Sequence, residues 1–571
     1  MKRYNLIFML ALLTGIAISG CNPLKKMKDN SRDVRYNVNP PVLELVGDQV
    51  AINISGSYPP RYFNQNVIVT LTPTLRAGTS ELELPETKVQ GESVRDNHRV
   101  ISWDNGGSFS YSESIPYRPD FQLSELVLNI VGTHKGNALH FDPVKIADGI
   151  NVTALLVEKN GKSIYAPDQF VRTTPDRFEA DIRYLMQQSD VRVAETRRPE
   201  IQALNDAVRA AAANERMSFT GTVLSAYASP EGPFDLNERL STSRGRTSLD
   251  FWNRNFRTAD VQQVMGSELL EVVTTPEDWD GFRQLMERSN IRDRDLILRV
   301  LSMHSDPIVR EREIKNVAAA YEEIKVQILP ELRRAKLTVN VKLEGWSDQE
   351  LNAHFDRDPS VLKVEEILYT ATLTQDANRK LAIYQAAARQ FPNDYRTKNN
   401  LGVALLNLGR TAEAKTALTE ARAVSDNEIV KNNMAVVLLR EGNYAAAEEL
   451  LNSAGSRDEV KYNLGTIKII EGNYPDAINH FGNQVEVNAA LAKLLSKDNN
   501  AALSTLNAIR SEAALVFYLR AVTGARLNNT DMVIQNLRQA ATRSPELKAN
   551  AVKDVEFANY FQDPQFRAIV Q

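Results

Sequence analysis

Three phrases in the last third of the chain line up with one another, and a recurrence of this kind restricts the fold more than any other feature. Lys398-Asn399-Asn400-Leu401-Gly402 precedes Leu408-Gly409-Arg410-Thr411-Ala412; Lys431-Asn432-Asn433-Met434-Ala435 precedes Glu441-Gly442-Asn443-Tyr444-Ala445; Lys461-Tyr462-Asn463-Leu464-Gly465 precedes Glu471-Gly472-Asn473-Tyr474-Pro475. A helix pair joined by a short glycine turn cannot bury its apolar faces alone, so such a unit has to stack on copies of itself. The small residues Gly402, Ala435 and Gly465 let the second helix of each pair approach closely, and Gly409, Gly442 and Gly472 accept the positive φ that ends a helix.

This spacing and residue set resembles the tetratricopeptide repeat. Weaker copies flank the three phrases at 367–392, 488–509 and 513–545, and Phe557, Tyr560, Phe561 and Phe566 are placed to cap the stack. The resemblance implies a concave groove lined by the first helices, carrying Lys398, Asn399, Asn400, Lys431, Asn432, Asn433, Lys461 and Asn463. An amide both donates and accepts, so these asparagines are expected either to clamp the backbone of an extended partner peptide or to cap and pack the repeats themselves.

At the other end, Met1-Lys2-Arg3, the apolar run Leu6 to Ile18, and Ser19-Gly20-Cys21 have the parts of a secretory signal. The ending Ile18-Ser19-Gly20-Cys21 resembles a bacterial lipobox, which implies acylation of Cys21 and a membrane hold through its acyl chains. Cys21 is the chain's one cysteine, so no thiol is left for a disulfide, a metal or catalysis. Residues 22–28 are basic and lack an acidic run, which favours a lipoprotein on the periplasmic face of the outer membrane. A formal net charge of −4 over 571 residues gives no footprint for nucleic acid.

Between the ends the pattern changes twice. From 36 to 175 short β-branched runs such as Val42 to Val46 and Val67 to Thr72 alternate with turn clusters, as in one or two β-sandwich modules. Lys159-Asn160-Gly161-Lys162 reads as a hairpin turn between two of these strands. From 176 to 345 strands and helices alternate, with a largely helical enlargement over 259–331. The expected fold is multidomain: signal peptide 1–20, linker 21–35, β-sandwich region 36–175, α+β domain 176–345 and all-α repeats 361–571.

Within the α+β region, Asn237, Leu240, Ser241 and Arg244 match the helix pattern of the OmpA-like C-terminal domain, and Gly232 matches its loop. That resemblance implies peptidoglycan binding, with an aspartate and an arginine gripping the diaminopimelate of the stem peptide. Arg244 keeps the guanidinium fork, Ser229 stands in the aspartate's place, and Glu231 is the candidate to supply the missing charge.

The six histidines are scattered, and no nucleophile elbow or phosphate loop occurs. The sequence thus reads as a non-enzymatic, cofactor-free scaffold or tether, its repeats holding an outer-membrane or periplasmic protein complex. The alternative is a surface nutrient-binding lipoprotein similar to the SusD class, against which the β-rich start, the OmpA-like helix motif and only four tryptophans count.

Overall fold

The computed structural model describes residues 22–256 and 270–571. The chain divides into two units, one made of residues up to Pro167 together with Asp376–Gln571, the other of Asp168–Gln375.

In the first unit, eleven strands form one continuous sheet around a single core. Strand Gln49–Tyr58 shows why: Val50, Ile52 and Ile54 are buried while Ala51, Asn53 and Ser55 between them are exposed, the period-two pattern of a half-buried strand. Strand Val42–Val46 pairs with Val144–Asn151 through its first residues and with Gln49–Tyr58 through its last, so the sheet bends through it and wraps round as a half-barrel. The expectation of one or two β-sandwich modules is corrected accordingly. Nor is 21–35 a linker throughout. Pro23–Asp29 is a helix that buries Leu24 and Met27 in the same core, and the Tyr62 hydroxyl donates to the Met27 carbonyl at 2.9 Å.

The hairpin expected around Lys159-Asn160-Gly161-Lys162 does not form. Thr153–Leu156 is a short 3₁₀ turn, and residues 157–167 then run on without secondary structure of their own.

The repeats form as read. Helix pairs Tyr395–Asn407 and Thr411–Val424, Glu428–Arg440 and Tyr444–Asn452, Asp458–Ile470 and Tyr474–Phe481 follow one another. Val487–Leu495 with Asn499–Ala508 and Ala514–Arg526 with Thr530–Arg543 continue the stack. Both glycine roles are seen. A Cβ on Gly402 would stand 2.5 Å from Leu418, and one on Gly465 2.8 Å from Phe481. Gly409, Gly442 and Gly472 have φ of +74°, +80° and +80°. Phe557 and Phe566 are buried and close the end of the stack, with Tyr560 at its margin. The cap also meets the β-sheet: Glu556 accepts from Asn151 Nδ2 and Thr153 Oγ1 at 2.8 Å each and pairs with Arg526 at 2.5 Å.

The second unit is built on a four-stranded sheet in the order Thr173–Arg183, Arg334–Glu344, Met217–Tyr227, Leu270–Thr275. The first two pairings are antiparallel and the last parallel. The first strand spans the expected boundary at 175/176, and Leu270–Thr275 is a strand within the stretch read as helical. Helices Pro199–Ala213 and Phe234–Asn255 pack on the sheet. On the second, Ser241, Arg244, Gly245, Ser248, Phe251 and Trp252 are buried, a stripe at helical period. Leu236 is exposed, because the period that brings Arg244 inward turns it out. Four short helices between Trp279 and Gln327 enlarge the last connection around their own core. Helix Asp348–Arg357, opened by a Ser347–Glu350 capping box, and helix Val364–Thr372 complete this unit, so the first flanking repeat copy is divided between units.

Candidate functional site

The first helix of each central repeat carries an asparagine at the same place: Asn400, Asn433, Asn463 and Asn488. Helix period and the close packing of the small residues beyond them turn all four to one side. Each binds both backbone groups of a single residue in the stretch 158–166. Ala166 N–H donates to Asn400 Oδ1 at 2.7 Å, and Asn400 Nδ2 donates back to the Ala166 carbonyl at 2.9 Å. Asn433 holds Ile164 in the same way at 2.7 Å twice. Asn463 holds Lys162 at 2.7 and 2.9 Å, and Asn488 holds Glu158 at 2.9 Å twice.

The gripped residues alternate through 166, 164 and 162, as an extended chain demands when every second residue presents its backbone to one side. Their numbers fall as the repeat numbers rise, so this strap runs antiparallel to the stack.

A second row of amides ties the clamps together. Asn399 Nδ2 donates to Asn400 Oδ1 at 3.0 Å and to the Ile164 carbonyl at 3.2 Å. Asn433 Nδ2 donates to Asn399 Oδ1 at 2.8 Å, Asn432 Nδ2 to Asn433 Oδ1 at 3.1 Å, and Asn463 Nδ2 to Asn432 Oδ1 at 2.9 Å. The amides of Asn399, Asn432, Asn433 and Asn463 thereby use both N–H donors, which is what complete burial requires.

Side chains of the strap lock its sides. Ile164 and Ala166 are buried beside Ile429. Tyr165 stacks on Tyr384 at 5.5 Å, and its hydroxyl accepts from Asn407 at 3.1 Å. Lys162 pairs with Glu486 at 2.5 Å over the Tyr462 ring. Arg440 Nε donates to the Asn160 carbonyl at 2.7 Å, and burial holds its guanidinium below the usual value. Burial, then the nearby Glu486, pushes the Glu158 carboxyl up. Gly161 takes φ +67°, and a Cβ there would lie 3.1 Å from both Val436 methyls.

The expected groove residues therefore divide. Asn399, Asn400, Asn432, Asn433 and Asn463 do clamp an extended backbone, but its source is the chain itself. Asn488, which belongs to a weaker repeat copy, joins them; its place relative to Ala490 matches that of Asn463 to Gly465 and was readable in the sequence. Lys431 is half-buried and Lys461 exposed, and neither side chain takes part in the ladder. Lys398 pairs with Glu420 at 3.2 Å and lines a separate recess of about 480 Å³ with Arg389, Leu401, Leu405 and Glu413.

In the central unit, Arg244 is 1% exposed and points its guanidinium at three main-chain carbonyls: Tyr227 at 2.8 Å, Gln188 at 3.1 Å and Leu185 at 3.4 Å. Burial pulls it down to about 10, so it remains charged at neutral pH. Glu231 accepts two bonds from Arg333, at 2.6 and 3.0 Å, and one from the Ser229 hydroxyl at 2.9 Å. Each of the three residues singled out for a stem peptide is thus already engaged within the unit. Cys21 lies outside the described residues. Among the described residues no His, Cys, Asp or Glu cluster suits a metal, and no helix is long and apolar enough to cross a membrane.

The tetratricopeptide repeat family matches residues 395–421, so one such repeat is detected, and the adjoining helix pairs form repeats that resemble solenoids of this type. A tetratricopeptide repeat protein from Parabacteroides merdae is 13% identical, covering 35% of this chain and 89% of that one, with a TM-score of 0.29. Pseudomonas aeruginosa PilF is 15% identical over 37% of this chain and 98% of its own, with a TM-score of 0.29. PilW, a type IV pilus biogenesis factor, is 16% identical over 39% and 89%, with a TM-score of 0.23. No curated protein matches the sequence.

Proposed function

We propose that this chain is a non-enzymatic scaffold of the bacterial envelope, held at the outer membrane through acylated Cys21, whose repeats dock a protein partner on surfaces outside the asparagine ladder. The observation that carries the reading is the ladder itself. A groove whose carboxamides are buried and satisfied by the chain's own strap is a finished structural joint, so the solenoid serves as a rigid body rather than an open peptide receptor. The recess beside Lys398 offers a partner both apolar wall, from Leu401 and Leu405, and charge of both signs. Recognition of protein partners is the general use of such solenoids.

For the central unit, the strand order and the Asn237–Arg244 helix support the OmpA-like reading. The engagement of Arg244 with three carbonyls and of Glu231 with Arg333 supports a domain that keeps the fold as a docking module without the stem-peptide grip.

The test is site-specific photo-crosslinking in intact envelopes. Probes replacing Thr416 and Glu413, both exposed at the recess, are expected to capture a protein, and a probe replacing Ser163 in the strap is expected to crosslink only within the chain. Intermolecular capture at Ser163 alone would overturn this reading in favour of an exchangeable groove.

A further inference from the structure

A second feature of the first unit lies beside the start of the described chain. Helix Pro23–Asp29, the turn after it and the loop Pro59–Tyr62 enclose a concavity of about 470 Å³. Its wall carries Lys26, Arg32, Arg35 and Arg61 against a single carboxylate, Asp33. All four cations are exposed, and among the described residues none has a carboxylate within ion-pair distance. This sets them apart from Lys28 on the same helix, which pairs with Asp142 at 3.0 Å.

The pocket is also built at a conformational cost. Arg61 is not glycine, yet it takes φ +63°, held there by its N–H donating to the Trp103 carbonyl at 2.5 Å. A left-handed non-glycine residue is disfavoured and persists where its surroundings fix it. The floor is rigid as well: Tyr62 is buried and bonded to Met27. Lys26 hangs over the Trp103 ring at 5.8 Å.

We propose that this pocket binds the phosphate of an anionic lipid headgroup and so orients the β-rich unit on the bilayer. Three guanidiniums match phosphate oxygens through planar, charge-assisted bonds. The choice of a lipid as the source of that phosphate rests on the anchor reading: acylated Cys21 is the covalent neighbour of Asn22, which caps the helix that carries Lys26. A cationic site placed there lies within the surface field of an anionic leaflet.

The experiment uses the chain from Asn22 onward, so that neither an acyl chain nor the apolar run Leu6 to Ile18 contributes. It is mixed with vesicles of phosphatidylcholine alone or of phosphatidylcholine with phosphatidylglycerol, and followed by co-sedimentation. Sedimentation with the phosphatidylglycerol vesicles only, weakened by salt, is expected. The triple variant Arg32→Gln, Arg35→Gln, Arg61→Gln should lower the partition at least ~10-fold with unchanged melting temperature. Equal partition by the variant, or no preference between vesicle types, overturns the proposal. Calorimetric binding of inorganic phosphate without vesicle binding also overturns it, by making the site one for free phosphate. Incorporation of labelled palmitate into the wild-type chain reads the anchor separately, so failure of one reading is distinguishable from failure of the other.

Discussion

Asn433 holds both the amide and the carbonyl of Ile164, 269 positions earlier in the sequence, at 2.7 Å each. Asn433 also donates to Asn399 and accepts from Asn432, so one side chain joins the strap to two rungs of the ladder.

Replacing Asn433 with Ala should therefore destabilise the first unit. The change strands the Ile164 N–H in a dry site, and an unsatisfied buried polar group costs about 1–3 kcal/mol each. We expect a loss of roughly 2–5 kcal/mol in urea unfolding. Limited proteolysis should then cut between 157 and 167, where the wild type resists. Asn433→Asp is expected to fail as well, since a buried carboxylate lacks the donor that meets the Ile164 carbonyl.

Gly161→Val tests the strap from its own side. Both the positive φ and the 3.1 Å approach to Val436 oppose a β-branched residue. A destabilisation on the order of 2 kcal/mol is expected from these strains. Gly136→Val, at φ +83° with open space around it, should show the backbone part alone and a smaller loss. Equal losses at the two sites would show that the Val436 contact contributes nothing.

Arg244→Leu should unfold or severely loosen the central unit. It removes the donor from three carbonyls at once, and a buried acceptor left unsatisfied costs about 1–3 kcal/mol. Arg244→Lys should not restore stability, because a single ammonium lacks the planar fork that reaches Tyr227, Gln188 and Leu185 together. Binding of wild-type protein to isolated peptidoglycan sacculi is expected to be absent. Clear binding would return Arg244 and Glu231 to a ligand-gripping role.

The cap of the solenoid predicts a pH effect. Burial, first of all, raises the Asp554 carboxyl to about 6, while Tyr518 donates to it at 2.7 Å. A carboxyl whose pKa is higher in the folded than in the unfolded chain favours folding most below the unfolded value near 3.8. That contribution is lost as pH rises through about 6. Glu556 beside it is shifted down; burial alone would raise it, but its bonds to Arg526 outweigh that, so its contribution is lost as pH falls. Asp554→Asn should remove the falling component of stability between pH 4 and 6, by about 2 kcal/mol, leaving the Glu556 component visible. An unchanged pH profile would show that Asp554 does not titrate in that window.

The repeats were legible because their signals are local and periodic. A glycine at the turn and a small residue one helix earlier constrain the same few ångströms in every copy, as Gly402 against Leu418 and Gly465 against Phe481 show. The asparagines' chemistry was legible for the same reason. What they hold was not, because residues 157–167 carry neither helical nor strand periodicity, and Asn160-Gly161 reads as a turn when taken locally. In the structure Gly161 instead lets the strap pass close to Val436. The role of Arg244 was hidden differently. Its motif places it correctly on the helix, but its carbonyl partners include Leu185 and Gln188, on a segment whose position only the tertiary fold decides.

The order of strap and ladder along the chain has a consequence for biogenesis. A ribosome finishes residues 158–166 long before it makes Asn400, Asn433, Asn463 and Asn488, with the whole unit 168–375 between them. During that interval the strap has no partner for its backbone, and closing so long a loop is a slow, entropically opposed step. The half-barrel and the inserted unit can each complete their own sheets first. The solenoid then seals the joint last, so a chain truncated before Asn400, which lacks every clamp, should emerge with its strap exposed to proteases, a built-in mark of unfinished synthesis.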